Sequence, residues 1–484
     1  MPRVLLVAAT TGYQTRSFTA AARRLGIEVV LATDRCHILE DPWGDNAIPV
    51  RFEEPEIAAD MLAEFSFDGV VAVADRPTLI AALTAQRLGL PYHSPRSVAA
   101  CRDKHRMREI FGAAGLPVPE HFRAVLNRDP RDIVGDARFP CVLKPLGLSA
   151  SRGVIRANNA DEFVAAFERI RRILRQPEIR QFHEEWNEAI QIEQYIEGRE
   201  FALEGLMTRG ELEVLAIFDK PDPMEGPFFE ETIYVTPSRQ SREIQSAIVD
   251  ATRRAVRALE LFHGPIHAEM RVNDRGVFML EVAARPIGGL CARAVHFLTR
   301  TTDPSACALN LTRTTDPSAC ALDLTRTTDP SACALNLTCT TDPSASALNF
   351  TGGLTLEEAV ILHATGNMPD GLTLFPPASG ILMIPVPRAG VYQSVAGMDE
   401  ALRTPGVDDV VITAKTGQKL LPLPEGASYT GFIFAGGDDA AFVENALRTA
   451  HAKLKFEMLA ALDVVSVLEE DPRRRPFDIL MNQL

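Results

Sequence analysis

From Arg3 to about His93, short apolar runs alternate with helix-like stretches: Val4–Ala8, Ser17–Leu25 and Val29–Ala32, then Val70–Ala74 before Pro77–Leu88. Short apolar runs separated by amphipathic stretches predict buried strands joined by helices, and that alternation specifies a parallel, doubly wound α/β sheet. A single Gly12 follows the first strand, so the GxGxxG dinucleotide fingerprint is missing there. A helix predicted from about Asp103 to Ala114 is stopped by Gly115 and the Pro117/Pro119 pair, which places the first boundary near residue 115.

The next unit contains a strand over Pro140–Lys144, a loop of small residues, a strand at Val154–Arg156, a helix over Ala160–Leu174 and a strand at Ile190–Gln194, a small α+β lobe. Residues 299–350 are four near-identical copies of a 13-residue unit, TRTTDPSACALNL. Each copy is too short and too polar to bury a stable layer, so the insert is expected to be disordered or marginally helical. With the insert removed, His296-Phe297-Leu298 runs into Gly352-Gly353-Leu354 and a helix over Thr355–Gly366, capped by Thr355 with Glu357 and Glu358 in its first turn. Beyond Pro377 come strands at Gly380–Pro385, Val410–Ala414 and Tyr429–Ala435, then a helix from Ala440 to Met458.

Composition narrows the function. A formal net charge of -14 over 484 residues argues against a nucleic-acid partner, which requires clustered excess Lys and Arg, so any bound anion must meet a local positive site. The opening apolar run is too short to span a membrane, and no membrane association is expected. The eight cysteines contain no CxxC pair, and Cys307, Cys320 and Cys333 are copies within the repeat, so a reducing cytoplasm is the expected compartment.

Four clusters carry candidate chemistry. In Phe139–Val154 a buried strand delivers Lys144 just before a loop in which Gly147, Ser149, Ser151 and Gly153 can wrap phosphate oxygens while the lysine balances their charge. A lysine at a strand end is also an ordinary solvated feature. The run Glu193-Gln194-Tyr195-Ile196-Glu197-Gly198-Arg199-Glu200 reads as strand, turn and strand, whose edge could pair with an adenine ring and whose Glu200 could accept from ribose hydroxyls. An acidic hairpin without a ligand has the same pattern. In Ile266–Val282, a three-residue loop Asp274-Arg275-Gly276 pairs Val272 with Phe278 and hence Glu269 with Glu281. Two carboxylates side by side repel unless a divalent cation lies between them, and Mg²⁺ suits hard oxygen ligands; a four-residue loop would instead place them on opposite faces. Finally, Arg285 follows closely enough to reach a transferring phosphoryl group, and Gly288-Gly289 lets backbone approach a substrate oxyanion.

Taken together, these segments resemble the ATP-grasp superfamily of carboxylate–amine ligases, through Lys104, the Lys144 strand and loop, Glu193–Glu200, Glu269, and Glu281 to Gly289. Within it the chain looks most like the L-amino-acid ligases that make dipeptides, on Glu-Val-Ala-Ala-Arg-Pro-Ile-Gly-Gly and on the later Gly-Ala-Ser-Tyr-Thr-Gly-Phe-Ile-Phe-Ala. The resemblance implies a Rossmann-like domain over 1–115, a lid lobe over 116–200, a large lobe with the metal site over 201–298, the repeat insert over 299–350, a continuation with a C-terminal β-rich subdomain over 351–460, and a tail over 461–484. It implies ATP bound by Lys104, Lys144, Ser149, Ser151 and Gly153, adenine by Glu193, Tyr195 and Ile196, and ribose by Glu200. Glu269 and Glu281 would hold Mg²⁺ or Mn²⁺, and Arg285 would steady the γ-phosphate. Substrate would meet Glu231, Tyr234, Arg285, Gly288 and Gly289, where relatives often carry His in place of Tyr234. Many members have Asn two residues after the second metal carboxylate; here it is Ala283, which weakens the case for a second Mg²⁺.

The activity so implied joins a small carboxylate, an L-amino acid, to a small amine, a second amino acid, by way of an acyl phosphate, with release of ADP and phosphate. A homodimer is compatible with it. The alternative is an ATP-grasp carboxylase, or a ligase of another acid such as one making D-amino-acid dipeptides. Substrate dropout separates them, because a bicarbonate-using enzyme releases phosphate without an amino acid.

Overall fold

A computed structural model describes residues 1–8, 13–34, 47–180, 185–301, 309–311, 334–337, 348–369, 371–375 and 377–460. The first strands, Arg3–Ala8, Glu28–Thr33, Ala47–Pro49 and Gly69–Val73, form a parallel sheet in which Arg3–Ala8 lies between Glu28–Thr33 and Gly69–Val73. Buried Val, Leu and Ala on both faces explain why these strands read as continuous apolar runs. Helices Pro95–Arg102 and Lys104–Ala113 follow, and Asp103 caps the second by accepting from the His105 and Arg106 amides.

The lid lobe is an antiparallel sheet ordered His121–Val125, Ala189–Gln194, Cys141–Pro145, Ile155–Ala157, covered by the helix Ala160–Leu174. It has a core of its own, built around Phe163, Phe167, Ile170, Leu143 and Ile190. Ala189–Gln194 runs between two strands, so the sheet edge expected there for adenine is covered by His121–Val125.

The large lobe is an eight-stranded antiparallel sheet in the order Gly276–Ala283, Gly264–Asn273, Arg199–Thr208, Glu211–Lys220, Ile233–Thr236, Ala378–Ile384, Gly431–Gly437, Val407–Ile412. The C-terminal strands therefore extend the sheet that carries the acidic hairpin, and a three-stranded sheet, Lys419–Leu420, Gly390–Ala396, Lys455–Leu459, stands beside them. Two apolar cores knit this sheet to the N-terminal domain, one including Leu5, Val70, Leu203 and Met270, the other Leu6, Val71, Ala202 and Phe432.

The expected helix over Ala440–Met458 stops at His451, and Lys455–Leu459 is a strand paired with Gly390–Ala396. Leu454, Phe456 and Met458 recur every second residue, a strand period that the preceding helix concealed. Around the insert, His296–Thr301 pairs antiparallel with Leu348–Thr355, with Leu298 opposite Gly353, and the capping box of Thr355 and Glu358 opens the helix Leu356–Ala364. Within the repeats only the short strands Leu309–Leu311 and Ala334–Leu337 and the ends of these flanking strands are described; the rest of the insert and the 461–484 tail lie outside the described residues.

Candidate active site

Lid, large sheet and N-terminal domain meet around a cleft of about 320 Å³, within the size range of small-molecule sites. Its lid wall carries Lys144, Ser149, Ala150 and Ser151; its floor Glu200, Glu231, Tyr234, Glu269 and Glu281; its far end Asp75, Arg285, Gly288, Gly289 and Tyr429.

Hairpin register sets the floor. The strands Gly264–Asn273 and Gly276–Ala283 pair Asn273 with Gly276 and Val272 with Val277, one residue off the expected alignment; a bulge between Glu269 and Met270 then brings Glu269 opposite Glu281. The expected pair forms, but through a shorter turn and a compensating bulge. The two carboxylates meet different cations: Lys104 Nζ is 3.7 Å from Glu281, while Glu269 accepts from Lys220 Nζ at 3.1 Å and His267 Nε2 at 3.1 Å.

Lys220 ends the strand Glu211–Lys220, directly paired with Glu200. Its buried ammonium also donates to Glu200 and Glu231, both at 2.8 Å. Burial opposes a charge there, but the three carboxylates outweigh it and hold the Lys220 pKa well above normal. Glu200, Glu231 and Glu269 offer oxygens all within 4.8 Å of one another, the donor set a hard divalent cation requires. Burial and the neighbouring Glu269 push the Glu231 carboxyl up, while Lys220 and His267 overcome burial and keep Glu269 ionised. His267 donates from its other ring nitrogen to the buried Glu204; burial disfavours its charge, yet Glu204 raises its pKa to about 9. Tyr234 donates to Glu231 at 2.9 Å.

The lid contributes a second buried ionic group. Lys144 donates to Glu193, which also accepts from Arg108 Nε at 3.1 Å and Gln191 Nε2 at 2.8 Å. Burial lowers the Lys144 pKa to about 8 despite Glu193, and Arg108 and Lys144 overcome burial to bring Glu193 to about 2. Beyond it, Ala150 and Ser151 both adopt φ of 54°, a left-handed conformation in non-glycine residues that favours a loop shaped for a purpose. At the far end Arg285 makes a bidentate pair with Asp75, Nε at 2.8 Å and Nη2 at 3.0 Å.

The chain is similar to known protein families along much of its length. Residues 19–92 match the ATP-grasp N-terminal domain, 137–294 an ATP-grasp domain, and 382–458 the L-amino acid ligase C-terminal domain 2. The chain is an ATP-grasp protein. Its fold superposes on the crystal structure of L-amino acid ligase from Bacillus licheniformis with a TM-score of 0.69 at 22% identity, covering 95% of this chain and 99% of that one. Among curated sequences it is 28% identical over 255 residues to alanine–anticapsin ligase of Bacillus subtilis, 49% of this chain and 52% of the relative, and 27% identical over 298 residues to the uncharacterized protein y4rH of Sinorhizobium fredii, 60% of this chain and 59% of the relative. The chain thus spans between half and three fifths of those relatives' lengths. ATP-grasp enzymes in general use ATP and Mg²⁺. Among the described residues no helix is long and apolar enough to cross a membrane.

Of the residues singled out from sequence, Lys104, Gly147 and Gly153 do not line the cleft, and several of the others meet partners other than those expected. Lys104 donates to the Leu148 carbonyl at 3.0 Å, tying it to the lid loop. The Gly153 amide, expected to face phosphate, instead donates to the Pro424 carbonyl at 3.0 Å. Gly153 has φ of 74° and lies against Pro145, so its lack of a side chain serves the turn. Gly147 packs on Trp186 and does not line the cleft. The Tyr195 amide donates to Pro140, which removes it from an adenine contact, and the Ile196 carbonyl already accepts from Arg271. Glu200 is shared by Lys220 and Arg271. Ala283, the position at which the resemblance led to an expected Asn, stands directly opposite His267. Sequence reading missed Asp75, Arg108, Glu204, Lys220, His267 and Tyr429. Of these only Lys220 left a signal, a lone cation closing an apolar strand directly before Pro221-Asp222-Pro223.

Proposed function

We propose that this chain is an ATP- and Mg²⁺-dependent ligase that phosphorylates a small carboxylic acid, an L-amino acid, and couples it to the amine of a second amino acid. The observation that carries this reading is the convergence of Lys144 and Arg285 with Glu231, Glu269 and Glu281 on one cleft, with Lys104 3.7 Å from Glu281 at its margin. Three cations suit a triphosphate, and grouped carboxylates suit the divalent ion that accompanies it.

The donor set fits magnesium. Glu269 and Glu281 stand on directly paired residues, and Glu200, Glu231 and Glu269 already cluster, so hard oxygen ligands are in place. When bound, the ion neutralises phosphate charge and orients the transferring group. Glu269 and Glu281 would hold it, with Lys220 and Lys104 balancing the carboxylates.

A carboxylate reacts with an amine only once one oxygen becomes a leaving group. Attack of the substrate carboxylate oxygen on the γ-phosphorus releases ADP and gives an acyl phosphate. The amine nitrogen then attacks the acyl carbon, phosphate departs, and the nitrogen gives up its proton as the amide forms. Lys144 and Lys104 would hold phosphate oxygens; Ser149 and Ser151 would close over them from the lid. Arg285, with one N–H free on each Nη, would meet the oxyanion of the tetrahedral state, beside the backbone of Gly288 and Gly289. Glu231 and Tyr234 would receive the ammonium of an amino-acid substrate. The lid, having its own core, is built to move as a unit and exclude water from the acyl phosphate.

Incubation with ATP, Mg²⁺ and pooled L-amino acids should yield ADP, phosphate and new amides identified by mass. AMP with pyrophosphate, or phosphate release that requires bicarbonate and no amino acid, would exclude this reaction.

A further inference from the structure

We infer that Asp75 of the N-terminal domain is a positioning residue for the ligase reaction, holding Arg285 in the orientation that meets the reacting group. The inference rests on the reading of Arg285 as the contact to the phosphoryl group or oxyanion.

Asp75 follows the strand Gly69–Val73, at the carboxyl end of a parallel sheet, the edge where open α/β sheets place ligands. Its backbone is pinned from both sides. The preceding Ala74 has φ of 71°, a left-handed conformation unfavourable to an L-residue and kept only where surrounding structure imposes it. The Asp75 carbonyl accepts from Thr78 Oγ1 at 2.5 Å, at the start of the helix Thr78–Leu88, with Thr78 buried. The carboxylate is thus delivered to one place by the N-terminal domain itself.

From there it takes Arg285 side-on through Nε and Nη2, while Nη1 donates to the Pro286 carbonyl at 3.0 Å. Three of the five guanidinium N–H groups are occupied, leaving one on each terminal nitrogen. A guanidinium held in this way has one orientation before substrate arrives, and such prior ordering is where electrostatic catalysis gains most. The same domain holds the next turn as well, since Gln14 Nε2 donates to the Ile287 carbonyl at 3.0 Å. Asp75 therefore faces the reaction through Arg285 and has no need to touch substrate.

The test uses the full chain and two independent readouts. In the ADP-release assay with ATP, Mg²⁺ and pooled L-amino acids, Asp75→Asn should lower kcat by about 10- to 100-fold, the cost of misplacing a catalytic group, with KM for ATP little changed. Asp75→Glu, which keeps the charge, should recover part of the loss, and adding Asp75→Asn to Arg285→Ala should cost nothing further. Phenylglyoxal modification of Arg285, followed by peptide mass, should accelerate in Asp75→Asn whether or not the assay has found the substrates. An unchanged modification rate, or losses that multiply in the double variant, overturns the positioning role. If instead Arg285→Ala keeps full activity while Asp75→Asn still frees the guanidinium, the catalytic reading of Arg285 is what fails.

Discussion

Lys220 Nζ lies 3.1 Å from Glu269, one of the two carboxylates proposed to hold Mg²⁺, and 2.8 Å from both Glu200 and Glu231. An ammonium holding three carboxylates together does in part what a metal ion does, so the two should compete or cooperate over the same oxygens. Lys220→Met removes the one side chain among the described residues that touches all three. Loss of one partner from a buried ionic group costs about 3–5 kcal/mol. The variant should melt well below the parent protein, and Mg²⁺ should raise its melting temperature more than the parent's, because the ion replaces the missing charge. Equal shifts on adding Mg²⁺ would separate the three carboxylates from the metal site.

Lys144 and Glu281 should fail in different ways. Lys144 is buried against Glu193, and Lys144→Ala leaves that carboxylate with Arg108 and Gln191 as partners. It should lose turnover by at least about 100-fold and also about 1–3 kcal/mol of stability, as an ionic group stripped of one member does. The Glu281 side chain is 27% exposed and its cation stands 3.7 Å away. Glu281→Ala should therefore abolish turnover with a stability change within about 1 kcal/mol. Urea unfolding beside ADP release measures both; equal destabilisation of the two variants would contradict the assignment of their environments.

How far the site could be read in advance depended on sequence separation. Glu269, Glu281 and Arg285 lie within one hairpin and its exit, and short turns make such neighbours predictable. Even there the pairing of Glu269 with Glu281 came out through two offsetting features, a turn one residue tighter and a bulge one residue longer. Lys220 shows the converse. Pairing of Thr208 with Glu211 carries forward to place Asp219 opposite Glu200, and only the bulge between Val214 and Ala216 moves Lys220 there. Bulges leave little trace in composition, so a register beyond one cannot be counted from the turn. Asp75 and Arg108 were out of reach for another reason: their partners, Arg285 and Glu193, are 210 and 85 residues away, and the contact exists only because two domains dock. The parallel sheet of the first domain and the lid helix Ala160–Leu174 were legible because each rests on local periodicity.

The lid is fastened to the C-terminal region by Arg169, whose Nε and Nη2 meet Glu425 at 2.6 and 2.9 Å, and by the Gly153 amide on Pro424. The same loop supplies Ala427 and Tyr429 to the cleft wall. With side chains 37% and 31% exposed, the pair should contribute under about 1 kcal/mol to global stability. Its effect should appear in closure. Glu425→Ala should raise the fraction of ATP turned over without amide formation, because a loosened lid admits water to the acyl phosphate. The ratio of ADP to amide product measures this; a ratio unchanged from the parent protein would show that closure does not depend on the pair.

A group of histidines between the N-terminal domain and the large lobe should make the fold acid-sensitive. His93 is buried, its Nδ1 accepting from the Phe262 amide while Nε2 meets the Pro265 carbonyl. That pair of bonds fixes a neutral ring, since a proton on Nδ1 would displace the Phe262 N–H. Nearby, His263 and His363 stack with ring centroids 4.2 Å apart, and His363 Nε2 meets Thr208 Oγ1 at 2.9 Å. Burial first, and then repulsion among the rings, brings His93 and His363 down to about 4 from an ordinary 6.5, while burial and the charge of Arg209 lower His263. For a base with a depressed folded-state pKa, the unfolded chain takes up protons first. The stabilisation is therefore complete above pH 6.5 and is lost as pH falls towards 4. For His93 alone that window is worth about 3 kcal/mol. Urea unfolding at pH 7 and pH 4.5 should show a smaller acid loss for His93→Gln than for the parent chain, because an amide can replace both hydrogen bonds without titrating. Carboxylates elsewhere contribute equally to both proteins and cancel in the difference; identical acid losses would mean that His93 is not charged by unfolding in this range.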